Sequence, residues 1–490
     1  MTALKATGLV RNWIAGESCA AAGDPYFVKR SPIDGRELYR VSRSTADDVN
    51  AAVTAARQAQ PHWAATPAVR RGAILHDIAM LLRARREEIA RCVHLETGKS
   101  LKDALGETDA AVAQGLFMAG EGQRLYGRTT TSAAPNKYAS TVREPMGVAG
   151  LIIAANTPIA NVAWKVFPAL ICGNAAVLKA AEDTPLTAYL FAELTREAGL
   201  PAGVLNVVQG YGAEAGEPLV LHSDVAVLSF TGSTAVGRRI AELAGKRLAK
   251  VSLELGGKNP LVVCDDADLG QAVKWTLLSA FSNAGQRCAA ASRIIVFDDV
   301  YTIFREKLLD AVARLRVGPN DDDDFGPVIN ERQLNNLLSA VQHAVQQGAL
   351  VSAGGMRLPG SAHQAGYYLA PTVIEQVRVD DEISLNELFG PITCLYRARD
   401  FSDALAQANA SPYGLTACIH TGNLHRALEF VHKVQAGVAV VNGGTYGSEP
   451  HMPFGGAKQS GNGSREPGTE ALDIYSNIKD IYLNVDPARI

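Results

Sequence analysis

From Gly147 onward the chain alternates between short apolar runs and stretches of helical period, and it does so twice. The first series reads as strands at Val148–Ile153, Ala175–Leu178, Val204–Val208, Val225–Phe230 and Val251–Leu255. Between them, Pro158–Leu170, Pro185–Ala198 and Ala235–Ala244 read as helices. The apolar runs have strand length and suit burial. Strands separated by helices need crossover connections, so the pattern predicts a parallel sheet wrapped by helices. A second series runs through Leu261–Cys264, Leu269–Phe281, Ile294–Phe297, Val300–Leu315, Arg332–Gly348, Thr393–Tyr396, Phe401–Ala410, Leu424–Val434 and Val438–Val441. The fold class is therefore α/β, with two such units meeting near Glu254–Gly257. A chain of 490 residues is long enough for more than one core.

Ahead of these series the signals are helical. Thr45 opens a helix with Asp48 at the capping-box offset. One helix is expected from Pro67 to Leu95, closed by Gly98 as its cap, and another over Leu101–Gln123. Two pieces fit neither sheet. Thr129–Arg143 is polar without helical period, and Asp480–Val485 alternates as a terminal strand. From the residues alone they read as an exposed hairpin and a loose tail.

Composition excludes several function classes. A formal net charge of −3 leaves no basic footprint for nucleic acid. The cysteines at 19, 92, 172, 264, 288, 394 and 418 show no metal spacing and read as reduced thiols. No secretory signal is visible, and the apolar runs fall far short of the ~20 residues of a spanning helix. A soluble cytoplasmic protein is the expectation, with no membrane or metal partner. The acidic run Asp321–Asp324 reads as a solvated loop.

Two residues carry the sharpest chemical signal. Cys288 lies in Asn283-Ala284-Gly285-Gln286-Arg287-Cys288, and Glu254 in Leu253-Glu254-Leu255-Gly256-Gly257-Lys258-Asn259-Pro260. A thiol can bond to a carbonyl carbon, and a carboxylate can activate the water that later breaks that bond. The bland alternatives are a small buried hydrophobe for Cys288 and a carboxylate bonded to the Gly256-Gly257 turn for Glu254. Asn156 stands just before Pro158 and could cap the helix starting there. Gly232 and Gly237 keep the outer spacing of a dinucleotide loop, but Thr234 occupies the middle position, which alone is a weak signal.

Taken together these motifs resemble the aldehyde dehydrogenase superfamily, of the NAD(P)-dependent, hydrolytic, non-acylating type. The resemblance implies a Rossmann-like cofactor domain, a second α/β catalytic domain and a small β oligomerisation flap. Their expected extents are 1–126, 146–254 and 442–470 for cofactor binding, 255–441 for the catalytic domain carrying Cys288, and 127–145 with 471–490 for the flap. It implies Cys288 as nucleophile and Glu254 as general base. Asn156 and the Cys288 N–H would receive the oxyanion. Lys179 and Glu182 would bind the adenosine ribose, favouring NAD with NADP possible. Gly232, Ser233 and Gly237 would face the pyrophosphate. Glu387 would hold the nicotinamide ribose and Phe389 the nicotinamide face. Pro453-Phe454-Gly455-Gly456 would border the mouth of the site, and Arg465-Glu466 would be structural.

The implied reaction oxidises a small aldehyde to its acid in a homodimer or homotetramer. Glu254 argues for water as the acyl acceptor. The alternatives are an acylating (CoA-dependent) or phosphorylating semialdehyde dehydrogenase and, from another class, a non-catalytic scaffold of the same fold. Ala155 and Thr157 depart from the usual aromatic residues, which predicts a wider or more polar tunnel. Arg287 or His451 could attract an acidic substrate, or could be exposed or bonded elsewhere.

Overall fold

The computed structural model describes residues 8–489. Its framework is two seven-stranded sheets. The first runs in the order Lys250–Glu254, Val225–Thr231, Val148–Ile152, Ala175–Lys179, Leu205–Val208, then Asn12–Ile14 and Glu17–Cys19. Its first five strands are parallel, as the alternation predicts. The chain starts mid-sheet at Val148, winds outward through Ala175 and Leu205, then crosses back to Val225 on the other side. The reversal puts a crevice between the strands Val148–Ile152 and Val225–Thr231. Open α/β sheets bind ligands at such a point, beyond the carboxyl ends of the strands.

The second sheet runs Leu350–Ala353, Thr372–Glu375, Ile392–Ala398, Ala291–Phe297, Asn259–Val263, Thr416–His420, Val438–Val441. It is parallel except at the Leu350 edge, which is antiparallel. The first sheet's last strand ends at Glu254 and the second's first strand begins at Asn259. The two sheets are thus joined by a four-residue turn built around Gly256-Gly257.

Local signals hold where they are self-contained. Thr45 and Asp48 form the reciprocal capping box at the head of Ala46–Ala65. Gly98 caps Arg86–Thr97 with φ +75°; a Cβ there would meet Pro327 Cγ at 2.5 Å. The expected single helix over Pro67–Leu95 is instead two helices, Ala68–Ala84 and Arg86–Thr97, separated at Arg85 (φ −100°, ψ 20°). The helix Pro158–Ile171 is buried along most of its length. Phe167 on it meets Phe191 edge-on at 5.8 Å. Truncating such a ring to Ala typically costs about 3–5 kcal/mol.

Several strands carry no clear period and appear only in the structure. Asn12–Ile14 and Glu17–Cys19 extend the first sheet, while Thr372–Glu375 and Thr416–His420 lie inside the second. The loose tail is also corrected. Ser476–Asn484 pairs antiparallel with Lys137–Pro145 over its whole length, from Ser476↔Pro145 to Asn484↔Lys137, and Thr129–Thr130 adds a third strand. No helix among the described residues is long and apolar enough to cross a membrane.

Candidate active site

The site forms where opposite ends of the two sheets face each other. Register aligns Lys179 with Ile152, Ile152 with Phe230, and Phe230 with Leu253, so these four form one row at the carboxyl edge of the first sheet. Asn156 follows Ile152, Ser233 follows Thr231, and Glu254 ends its own strand. From the second sheet come segments that precede strands. Cys288 leads into Ala291–Phe297, and Glu387–Phe389 leads into Ile392–Ala398.

The Cys288 segment is held in an unusual backbone. Asn283, Ala284 and Gly285 have φ of +53°, +53° and +65°, three left-handed residues in succession. For Asn283 and Ala284 this is strained, and such strain persists only where surroundings over-determine it. At Gly285 a Cβ would lie 2.1 Å from Gly390 O. Beyond it, Asn259 Nδ2 holds the Cys288 carbonyl at 2.8 Å and the Ala290 carbonyl at 2.9 Å. Thr445 Oγ1 donates to the Ala289 carbonyl at 2.6 Å. Among the described residues nothing accepts from the Cys288 N–H, which stays available.

Cys288 is half-buried, and with Trp164 and Tyr446 it packs against Ala289, Leu415 and Phe454. Trp164 and Phe454 lie 5.7 Å apart and tilted. This wall supplies aromatic surface that Ala155 and Thr157 do not. Burial pushes the Cys288 thiol up to about 12, and the carboxylates of Glu387 and Glu254 add to the rise. The Ala289 N–H and Arg287 oppose it only in part. Sulfur is therefore a thiol at neutral pH in the nucleotide-free protein.

Glu254 is 5% exposed, and both its carboxylate oxygens lack a hydrogen-bond partner. Burial, then the nearby Glu466 carboxylate, push it well above the usual range, against Lys165 and Arg465. Unpaired buried carboxylates are costly and cluster at functional sites. The group bonded to the Gly256-Gly257 turn is a different carboxylate, Glu387. Its Oε1 accepts from Gly257 N at 3.0 Å, and a Cβ on Gly256 would strike its Oε2 at 2.2 Å. Burial pushes Glu387 up to about 7 against that N–H and Lys258.

Asn156 sits on the Cys288 segment. Its Nδ2 donates to the Gln286 carbonyl at 3.0 Å, and Asn283 Nδ2 donates to the Asn156 carbonyl at 3.2 Å. A primary amide has two N–H donors, so one remains free. Thr157 leaves the helix behind it without a side-chain cap, and Asn156 does not serve as one.

The residues expected to bind the nucleotide lie along the first sheet's edge. Lys179 Nζ, buried at its strand end, pairs with Glu182 Oε2 at 3.1 Å. Burial raises the Glu182 carboxyl, but Lys179, its own amide and Arg332 outweigh that and hold it below its ordinary value. An ammonium and an ionised carboxylate side by side suit a pair of ribose hydroxyls. Exposed Ser233 caps the helix Thr234–Gly245, whose first turn presents N–H groups fit for phosphate. Gly237 lets that helix close on Leu255, whose Cδ2 would lie 2.4 Å from a Cβ. At Gly232 a Cβ would strike the Phe230 ring at 2.4 Å. Phe389 is half-buried with φ +59°. These residues fit a dinucleotide.

Near Glu254 lies a buried network around Glu466. Lys165 Nζ pairs with Glu466 Oε2 at 2.9 Å and donates to Ser229 Oγ at 2.6 Å. Ser229 and Tyr475 both donate to Glu466 Oε1, at 2.7 and 3.2 Å. The one available signal was a lysine inside an otherwise apolar helix, since charge is rarely buried without a partner.

The chain is similar to known proteins along nearly its whole length. The aldehyde dehydrogenase family model matches residues 20–481. The chain is 39% identical to the alpha-ketoglutaric semialdehyde dehydrogenase of Bacillus subtilis, covering 96% of this chain and 97% of that one. It is also 39% identical to the 2,5-dioxopentanoate dehydrogenase of Saccharolobus solfataricus, with coverage of 97% and 98%. Among solved structures, betaine aldehyde dehydrogenase from Staphylococcus aureus, crystallised with NAD+, superposes at TM-score 0.95 with 33% identity, covering 98% of both chains. The chain belongs to the aldehyde dehydrogenase family, enzymes that oxidise an aldehyde to the carboxylic acid with NAD(P)+.

Proposed function

We propose that this aldehyde dehydrogenase acts on a short aldehyde that carries a carboxylate at its far end, and that the reaction runs on Cys288, Asn156 and Glu254. The observation that carries the substrate class is Arg287, next to the nucleophile. Its guanidinium stands over the Tyr446 ring at 5.0 Å and donates to Ser282 Oγ at 3.3 Å. Among the described residues it has no acidic partner. A half-buried guanidinium without a counter-ion is a ready site for a carboxylate. Both curated relatives at 39% identity are named for an aldehyde of this class. His451, by contrast, is exposed beside Glu449 at 3.9 Å and offers less.

Chemistry follows from the geometry. Cys288 loses its proton to solvent, and Sγ adds to the carbonyl carbon as the C=O π pair moves onto oxygen. The free Asn156 N–H and the Cys288 N–H donate to the oxygen as it becomes negative; one such donor is worth about 2.7–4 kcal/mol in the transition state. The nucleotide, when bound, supplies the hydride acceptor. Loss of hydride from the tetrahedral adduct leaves a thioester on Sγ. Glu254 then takes a proton from water, whose oxygen attacks the acyl carbon; the C–S bond breaks, the acid leaves, and sulfur takes the proton from Glu254. With both oxygens unpaired, Glu254 has free lone pairs for that water. Lys179 and Glu182 would hold the adenosine ribose. An ionised Glu182 there disfavours a 2′-phosphate, so NAD is preferred to NADP.

The same reading divides the chain into a cofactor domain (1–126, 146–254, 442–470), a catalytic domain (255–441) and a flap (127–145, 471–490). The flap exposes Tyr138, Ile478, Tyr482 and Leu483, apolar surface suited to a second copy in a homodimer or homotetramer.

The substrate class is tested by kcat/KM for 2,5-dioxopentanoate or succinate semialdehyde against an uncharged aldehyde of equal length. The charged substrate should be preferred, and Arg287→Gln should erase roughly 10-fold or more of that preference through KM. Equal loss on both substrates would remove Arg287 from the role.

A further inference from the structure

Lys99 and Glu107 form a buried ion pair that takes no part in the reaction above. They are 4% and 8% exposed, with Nζ 2.5 Å from Oε2. The same Nζ donates to the Asn156 carbonyl at 2.7 Å. The other Glu107 oxygen, Oε1, accepts from Ile159 N at 2.9 Å and Ala160 N at 3.4 Å. Those amides belong to the first turn of Pro158–Ile171. Glu107 therefore satisfies, from a separate helix, the N–H groups that helix starts leave unpaired, and its charge suits the positive end of the dipole.

Asn156 lies between the strand ending at Ile152 and this helix. The pair grips that connection on both sides, Lys99 at the Asn156 carbonyl and Glu107 at the amides just beyond. Asn283 and Gln286 tie the same residue to the nucleophile segment. A buried ion pair is weak evidence of net stability, since matched apolar residues often do as well. What this one supplies is direction, because its bonds fix the peptide plane that aims the Asn156 side chain.

We propose that Lys99 and Glu107 are positioning residues that hold the Asn156 amide in register with Cys288. The proposal rests on Asn156 being the oxyanion donor. A misplacement of about 1 Å in a reacting constellation can cost on the order of 100-fold in rate.

The test uses the full-length enzyme and the single-turnover rate of NADH formation at saturating aldehyde and NAD. Lys99→Met and Glu107→Gln should each slow that rate roughly 10- to 100-fold while KM and the NAD Kd stay within about 2-fold. In an Asn156→Ala background Lys99→Met should have little further effect, because both changes remove one interaction. Should Lys99→Met fold poorly, the isosteric Glu107→Gln carries the same comparison. Wild-type rates in the Lys99 and Glu107 variants, or full multiplication of the Lys99 and Asn156 effects, would overturn the proposal alone. An Asn156→Ala enzyme with an unchanged rate would overturn the reading beneath it as well.

Discussion

Gly455 leaves the space in which the Glu254 carboxylate stands. A Cβ at position 455 would lie 2.8 Å from Glu254 Oε1, 2.7 Å from Ser464 O and 2.9 Å from Arg465 Cδ. The glycine sits far along the chain, in the Pro453-Phe454-Gly455-Gly456 motif, and meets the carboxylate only in the fold. One of the three is a backbone carbonyl, Ser464 O, which cannot swing aside as a side-chain end can, so an added methyl presses toward the unpaired carboxylate.

Gly455→Ala should therefore displace Glu254 and slow thioester hydrolysis. The expected result is a fall in kcat of roughly 10-fold or more with the first-turnover NADH burst intact, since general-base catalysis contributes about 10²–10⁴. Rapid-mixing fluorescence separates the two phases. A lost burst with normal hydrolysis would mean the methyl disturbs the nucleophile instead.

The protonation of Cys288 gives a second prediction. Its thiol is raised to about 12 by burial and by Glu387 and Glu254. A raised thiol is protonated at neutral pH, so alkylation by iodoacetamide in the nucleotide-free enzyme should be slow near pH 7 and climb steadily with pH. Glu387→Gln removes the stronger of the two carboxylate effects and should shift that profile to lower pH. Mass spectrometry of the Cys288 peptide over a pH series reads both. An alkylation profile with its midpoint near about pH 8.5, the free-thiol value, would show the thiol is not raised.

Features set by a few neighbouring residues were legible in the sequence. Thr45 with Asp48, Gly98 and the βαβ alternation depend on local geometry, and each is in place. Thr416–His420 was not legible, although it is a central strand. Its Thr-Ala-Cys-Ile-His run has no strand period, and only pairing with Asn259–Val263 and Val438–Val441 makes it one. Pro67–Leu95 kept helical period across a break that Arg85 makes in the backbone. At the site, the motifs named the residues but not their partners. Which carboxylate takes the Gly257 N–H, and that Lys99 reaches Asn156, depend on contacts between segments far apart in sequence.

The central claim is that sulfur captures the acyl group and Glu254 releases it. Single-mixing kinetics of Glu254→Gln, with product counted against enzyme, tests this most directly. The account predicts about one NADH per active site formed at near wild-type rate, then turnover slowed by roughly 10²-fold or more, with the acyl group on Cys288 by mass spectrometry. Undiminished steady-state turnover in that variant, or acylation at any other residue, would contradict it.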